Sequence, residues 1–157
     1  RFQGWLGKAI QCFEAVVQQT RPEGGENDEA WRMLGVCHAE NDEDKRAIHC
    51  LKQALDLDPY NLDALLALGT SYVNELDSVR ALQSLRSWVS HNPRFQGLDQ
   101  PQDAYSDGTL MDEVMQLMLA VEAFAPGDVD VQVVLGTLYN VSLDYDSAIS
   151  CFQGALG

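Results

Sequence analysis

One spacing constrains this chain more than any other feature. Leu34-Gly35 and Leu68-Gly69 lie 34 residues apart, and Leu135-Gly136 follows about two periods later. Around each pair the same residue types return at the same offsets. A period near this length marks arrays of helical hairpins, in which each hairpin buries an apolar face against its neighbour.

The clearest unit runs from Asp28 to Asn61, with Trp31 at position 4, Leu34 and Gly35 at 7 and 8, and His38 at 11. Ala47, Leu51, Ala54 and Pro59 fall at positions 20, 24, 27 and 32. The unit from Leu62 repeats the pattern with Leu65, Leu68, Gly69, Tyr72, Ala81, Leu85, Trp88 and Pro93, and the unit from Val129 with Leu135, Gly136, Tyr139, Ala148, Phe152 and Ala155. The residue types have mechanical reasons. Gly at 8 and Ala at 20 let the two helices of a hairpin approach closely. Large residues at 4, 7, 11 and 24 fill the space between hairpins, and Pro at 32 stops the second helix. The expected fold class is all-α, a tetratricopeptide-repeat solenoid of about four repeats with an irregular third.

The expected organisation is one partial repeat domain over 1–157. Residues 1–27 hold a second helix, with Ala9, Phe13 and Val16 at positions 20, 24 and 27. Complete units follow at 28–61 and 62–93, a loop plus the irregular unit at 94–128, and a truncated last unit at 129–157. Arg94 to Thr109 is rich in Gly, Asp, Gln and Pro and reads as a loop. Leu110 to Phe124 has helical apolar spacing, with Met118 and Pro126 at positions 24 and 32. With no polar cap at either end, the expectation is a fragment of a longer array whose exposed ends allow self-association.

The net charge of −14 excludes a nucleic-acid role, which needs basic patches. All ten Lys and Arg lie at or before Arg94, so residues 95–157 carry ten acidic groups and no cationic clamp for a carboxylate. No apolar run reaches transmembrane length. Cys12, Cys37, Cys50 and Cys151 form no CxxC pair and read as buried free thiols of a reducing cytoplasm. There is no nucleophile–base pair, phosphate loop, zinc spacing or other cofactor motif, so the chain is not expected to be an enzyme. Glu40 to Asp44 lacks the glycine and closing Glu of a calcium loop and reads as an acidic inter-helix turn.

The candidate binding residues are asparagines that end first helices: Asn41, Asn74 and Asn140. An Asn amide both donates and accepts, so it can pair with a peptide's backbone C=O and N–H. It can equally serve a turn. For Asn41, inside the acidic turn, the turn role is the expectation. For Asn74 and Asn140 both stay open.

The stretches AWRMLGVCHAEND (30–42), LALGTSYVNE (66–75) and LGTLYNVSLDYDSAISCFQGAL (135–156) resemble successive parts of one family. It is the receptor for the peroxisomal type 1 targeting signal, a C-terminal tripeptide such as Ser-Lys-Leu. The resemblance covers the whole chain, matches the earlier part of that family's repeat domain, and makes 62–93 the third repeat in family order. It implies a peptide-binding import receptor of the cytoplasm that cycles to the peroxisomal membrane, with docking proteins engaged through other regions. The family's Thr-Asn-Glu stretch reads Val73-Asn74-Glu75 here, and Thr70 lies one turn earlier. Asn74 would hold the peptide backbone, Thr70 and Glu75 would shape the pocket, and Val73 removes a hydroxyl. Asn140 matches an Asn of the family's fourth repeat. The alternatives are a receptor paralogue that binds other C-terminal tails, or a chaperone or assembly scaffold.

Overall fold

The computed structural model describes residues 2–19, 27–98, 110–141 and 153–155. Among them the regular elements are α1 (Phe2–Gln19), α2 (Asn27–Glu40), α3 (Asp44–Leu57), α4 (Leu62–Asn74), α5 (Ser78–Ser90), α6 (Leu110–Phe124) and α7 (Val129–Val141), with a 3₁₀ turn at Pro93–Phe95. The chain is an all-α repeat array. Most of the expected loop after Arg94, and Ala148, Cys151 and Phe152, lie outside the described residues. The chain divides into two compact units, Arg1–Asp77 and Ser78–Gly157. The division falls between α4 and α5, which the period assigns to one hairpin.

In the first unit, Leu6 and Ile10 of α1 are buried with Leu34 and Cys37 of α2 and Cys50 of α3, and Ala9, Phe13, Val17 and Trp31 pack against them. The apolar stripe of α1 sets its angle on α2. Cys12 falls to one side of that stripe and is exposed, which corrects the expectation that it is buried; Cys37 and Cys50 are buried. Burial pushes the Cys50 thiol up to about 11, because a thiolate there would lose its hydration.

The α2–α3 hairpin closes as the glycine at position 8 requires. A Cβ on Gly35 would lie 2.7 Å from Leu51 Cγ and 3.3 Å from the Ala47 carbonyl oxygen. Ala47, Leu51 and Ala54 have no exposed surface. Helix α3 ends before Pro59, which forces Asp58 into extended backbone. Asn61 then caps α4, its Oδ1 accepting from the Ala64 N–H at 3.1 Å.

The second unit has its own core. Val89, Phe95, Val114, Met118, Val121, Val131, Val134, Leu135 and Leu138 are essentially inaccessible. Phe95, delivered by the 3₁₀ turn, packs between Trp88 and Phe124 at ring centroid distances of 5.7 and 6.4 Å. Helix α6 stops ahead of Pro126, and Gly127 takes φ +79°, open to glycine without strain. Asp128 caps α7 and pairs with Arg94 at 2.6 Å. No helix among the described residues is long and apolar enough to cross a membrane.

Candidate functional site

Helices α2 and α4 end in the same way. At the end of α2, Asp42 takes φ +59° and the Glu43 N–H donates to the His38 carbonyl at 2.8 Å. At the end of α4, Leu76 takes φ +61° and the Asp77 N–H donates to the Tyr72 carbonyl at 2.9 Å. Both are left-handed helix stops that satisfy otherwise orphaned carbonyls, and they recur one period apart. Asn74 is thus the last residue of α4, and Asn41 stands just past the end of α2, one repeat position later.

Their side chains do different work. The Asn41 amide donates to the Glu43 carboxylate inside its own turn. That hydrogen bond, ahead of the charges of Arg46 and His38, holds the Glu43 carboxyl below the usual range. Asn41 is therefore a turn residue. Asn74 is exposed, and its Nδ2 donates across to Asp44 Oδ1, 3.3 Å away in the first turn of α3. The carboxylate orients the amide. It leaves Oδ1 and the second N–H of Asn74 for an extended backbone.

Thr70 lies one turn before Asn74 and is exposed. Its hydroxyl donates to the Leu66 carbonyl at 3.1 Å, so towards a ligand it acts as an acceptor. Val73 is partly buried, while Glu75 is exposed. Glu75 and the segment Asp42 to Arg46 line a hollow of about 250 Å³. Four carboxylates face two cations there, so the hollow favours a basic ligand side chain. Asn140 is exposed near the end of α7, in the other compact unit. Among the described residues no cluster of His, Cys, Asp and Glu is arranged to hold a metal.

Asp44 is the residue that sequence reasoning missed. Its partner lies 30 residues away, and the only available clue was the acidic turn in front of α3.

Residues 28–61 match the tetratricopeptide repeat family, the same bounds that the period gives. The chain is 41% identical over 96% of its length to peroxisome biogenesis protein 5 of Arabidopsis thaliana, and covers 20% of that protein. It is 34% identical over 98% of its length to the peroxisomal targeting signal receptor of Yarrowia lipolytica, covering 26% of it. Along nearly its whole length the chain is homologous to one part of proteins named peroxisomal targeting signal receptors. A PEX5-related protein of Homo sapiens matches at 32% identity over 98% of the chain and 26% of that protein. The chain therefore spans between a fifth and about a quarter of these relatives' length. Its fold is similar to a crystal structure of MamA, with a TM-score of 0.59 at 19% identity, covering 99% of this chain and 90% of that one. At that identity the likeness speaks for the fold alone.

Proposed function

We propose that this receptor segment forms part of a groove that binds C-terminal targeting peptides of the Ser-Lys-Leu type on proteins bound for peroxisomes. The observation that carries the reading is the 41% identity to the Arabidopsis relative along 96% of the chain. The exposed stretch at the end of α4 supplies the chemistry. Asn74, oriented by Asp44, holds the peptide backbone. Thr70 offers an acceptor one turn away, and Glu75 beside the acidic hollow attracts the lysine of the signal. That attraction is modest in an exposed setting. Val73 lacks a hydroxyl, so the contact it would have made is absent. Asn140, exposed near the end of α7 in the other unit, can hold a peptide backbone in its own right. In this reading the chain acts by binding and not by catalysis, in the cytoplasm and at the peroxisomal membrane, and docking proteins engage other parts of the longer receptor.

The ligand's carboxylate needs a cation, and residues 95–157 have no Lys or Arg. That clamp comes from elsewhere in the receptor, and the isolated segment binds weakly. Fluorescence anisotropy tests this with a labelled peptide ending in Ser-Lys-Leu and an amidated control. The titration is made against a full-length receptor carrying this segment and against the segment alone. Tight, carboxylate-dependent binding by the long receptor with little by the segment is the expected result. Absence of binding by the long receptor would overturn the reading. The match to PEX5-related proteins, together with Val73, favours one second reading, a receptor for other C-terminal tails. A panel of C-terminal peptides separates the two.

A further inference from the structure

The ring of His38 meets hydrogen-bond acceptors on both sides. The residue stands in the last turn of α2 and is 3% exposed. Glu14 Oε1, on α1, is 4.0 Å from Nε2. Glu43 Oε2, in the turn before α3, is 3.8 Å from Nδ1. Each gap is about 1 Å longer than an N–H···O hydrogen bond, and Nδ1 makes none.

A neutral imidazole carries one N–H and one lone pair. Whichever nitrogen keeps the lone pair then faces a carboxylate, acceptor against acceptor. Only the doubly protonated ring offers a donor to both sides. Burial opposes that charge. Two features offset the cost. A carboxylate stands by each nitrogen, where a charged donor makes its strongest hydrogen bonds. The ring also lies at the negative end of the α2 dipole.

The remaining groups around the ring do not cancel this arrangement. Glu40 adds a further negative charge on α2 itself. Lys45, Arg46 and His49 of α3 line the same groove as His38 and Glu14. Arg46 is paired with Glu43 at 2.8 Å, and His49 packs edge-on against Trp31. Burial pushes the Cys37 and Cys50 thiols up, so neither supplies a charge.

We propose that His38 is a proton-dependent latch, which on gaining its second ring proton closes onto Glu14 and Glu43 and ties α1 to the α2–α3 hairpin. With the ring neutral the latch is open, and the apolar packing of Leu6, Ile10 and Phe13 holds α1. Histidine changes charge between about pH 5 and 8. The latch's stabilisation is present on the acid side of that titration and is lost as pH rises through it. No residue of α4 takes part, so the latch does not rest on the peptide-binding reading.

Amide hydrogen exchange on the chain tests this, with protection corrected for the intrinsic pH dependence of exchange. From about pH 8 to 5 the α1 amides of the parent should gain about tenfold in protection, as one charge-assisted hydrogen bond would give. His38→Gln keeps a polar side chain that takes no proton, and should gain less than about twofold. Glu14→Gln alters a carboxylate that is 46% exposed, so it should keep the fold and lose most of the gain. NMR of the ring nitrogens should show protons on both at about pH 5. A ring that stays neutral there, or equal gains in the parent and Glu14→Gln, would overturn the proposal.

Discussion

Helices α2 and α4 end with the same backbone turn, yet their terminal asparagines differ in what they leave available. Asn41 gives its amide to Glu43, two residues away, and Glu43 in turn pairs with Arg46. Asn74 sits one position earlier in its unit than Asn41, so Leu76 stands two residues after it where Glu43 stands two residues after Asn41. The Asn74 amide reaches instead to Asp44, on another helix, and stays on the surface. The two asparagines stand at the ends of comparable helices, one position apart in the unit. The residues of the following turn decide whether each asparagine is spent on the fold or kept for a ligand. Position within a repeat is thus insufficient to assign a binding role.

The largest expected effect comes from breaking the packing that places both helix ends. Gly35→Ala puts a methyl group into Leu51 and close to the Ala47 backbone. It should cost about 1–3 kcal/mol of stability, the usual range for overpacking a close contact. Urea unfolding followed by circular dichroism measures it. An unchanged midpoint would mean that α2 and α3 do not need the close approach.

Exchanging the turn chemistry sharpens the comparison further. Leu76 holds a left-handed conformation that strains a branched side chain, and it is 88% exposed, so its side chain contributes little burial. Leu76→Gly should stabilise by about 1 kcal/mol, read as a higher melting temperature. Asp42→Gly should gain less, because Asp tolerates that region better. Equal gains would remove the distinction between the two turns.

The smallest effect is a titration. Asn41 holds the Glu43 carboxyl below its ordinary value of 4.5, so the ionised form is favoured in the folded chain. The stabilisation is present above that value and is lost as pH falls through the lowered one. Asn41→Ala should move the Glu43 titration, followed by NMR, back up towards 4.5. No movement would show that Asn41 is not committed to the turn.

Much of the fold was legible because it rests on local rules that the period repeats. Gly35 against Ala47 and Leu51, the helix stop before Pro59 and the burial of Met118 all follow from position within the unit. Cys12 was misread for a physical reason. It shares position 23 with Cys50, but burial depends on the stripe that each helix turns to its neighbours, and α1 turns Leu6, Ile10 and Phe13 inward instead. The surroundings of His38 were also illegible. Its place at position 11 announces a space-filling residue, while the carboxylates beside it come from α1 and from the turn before α3. The pairing of Asn74 with Asp44 is another contact between elements, which a period cannot report.

The most direct measurement sets the two asparagines against each other in one receptor. This segment is placed in the Arabidopsis relative in exchange for the matching stretch, and a labelled peptide ending in Ser-Lys-Leu is titrated by anisotropy. Asn74→Ala should weaken binding by about 1–3 kcal/mol, the cost of leaving a buried partner unsatisfied. Asn41→Ala should leave the affinity within about twofold, well under 1 kcal/mol. Equal losses from both, or no loss from Asn74→Ala, would contradict the claim that the turn after α4 keeps its asparagine for the ligand.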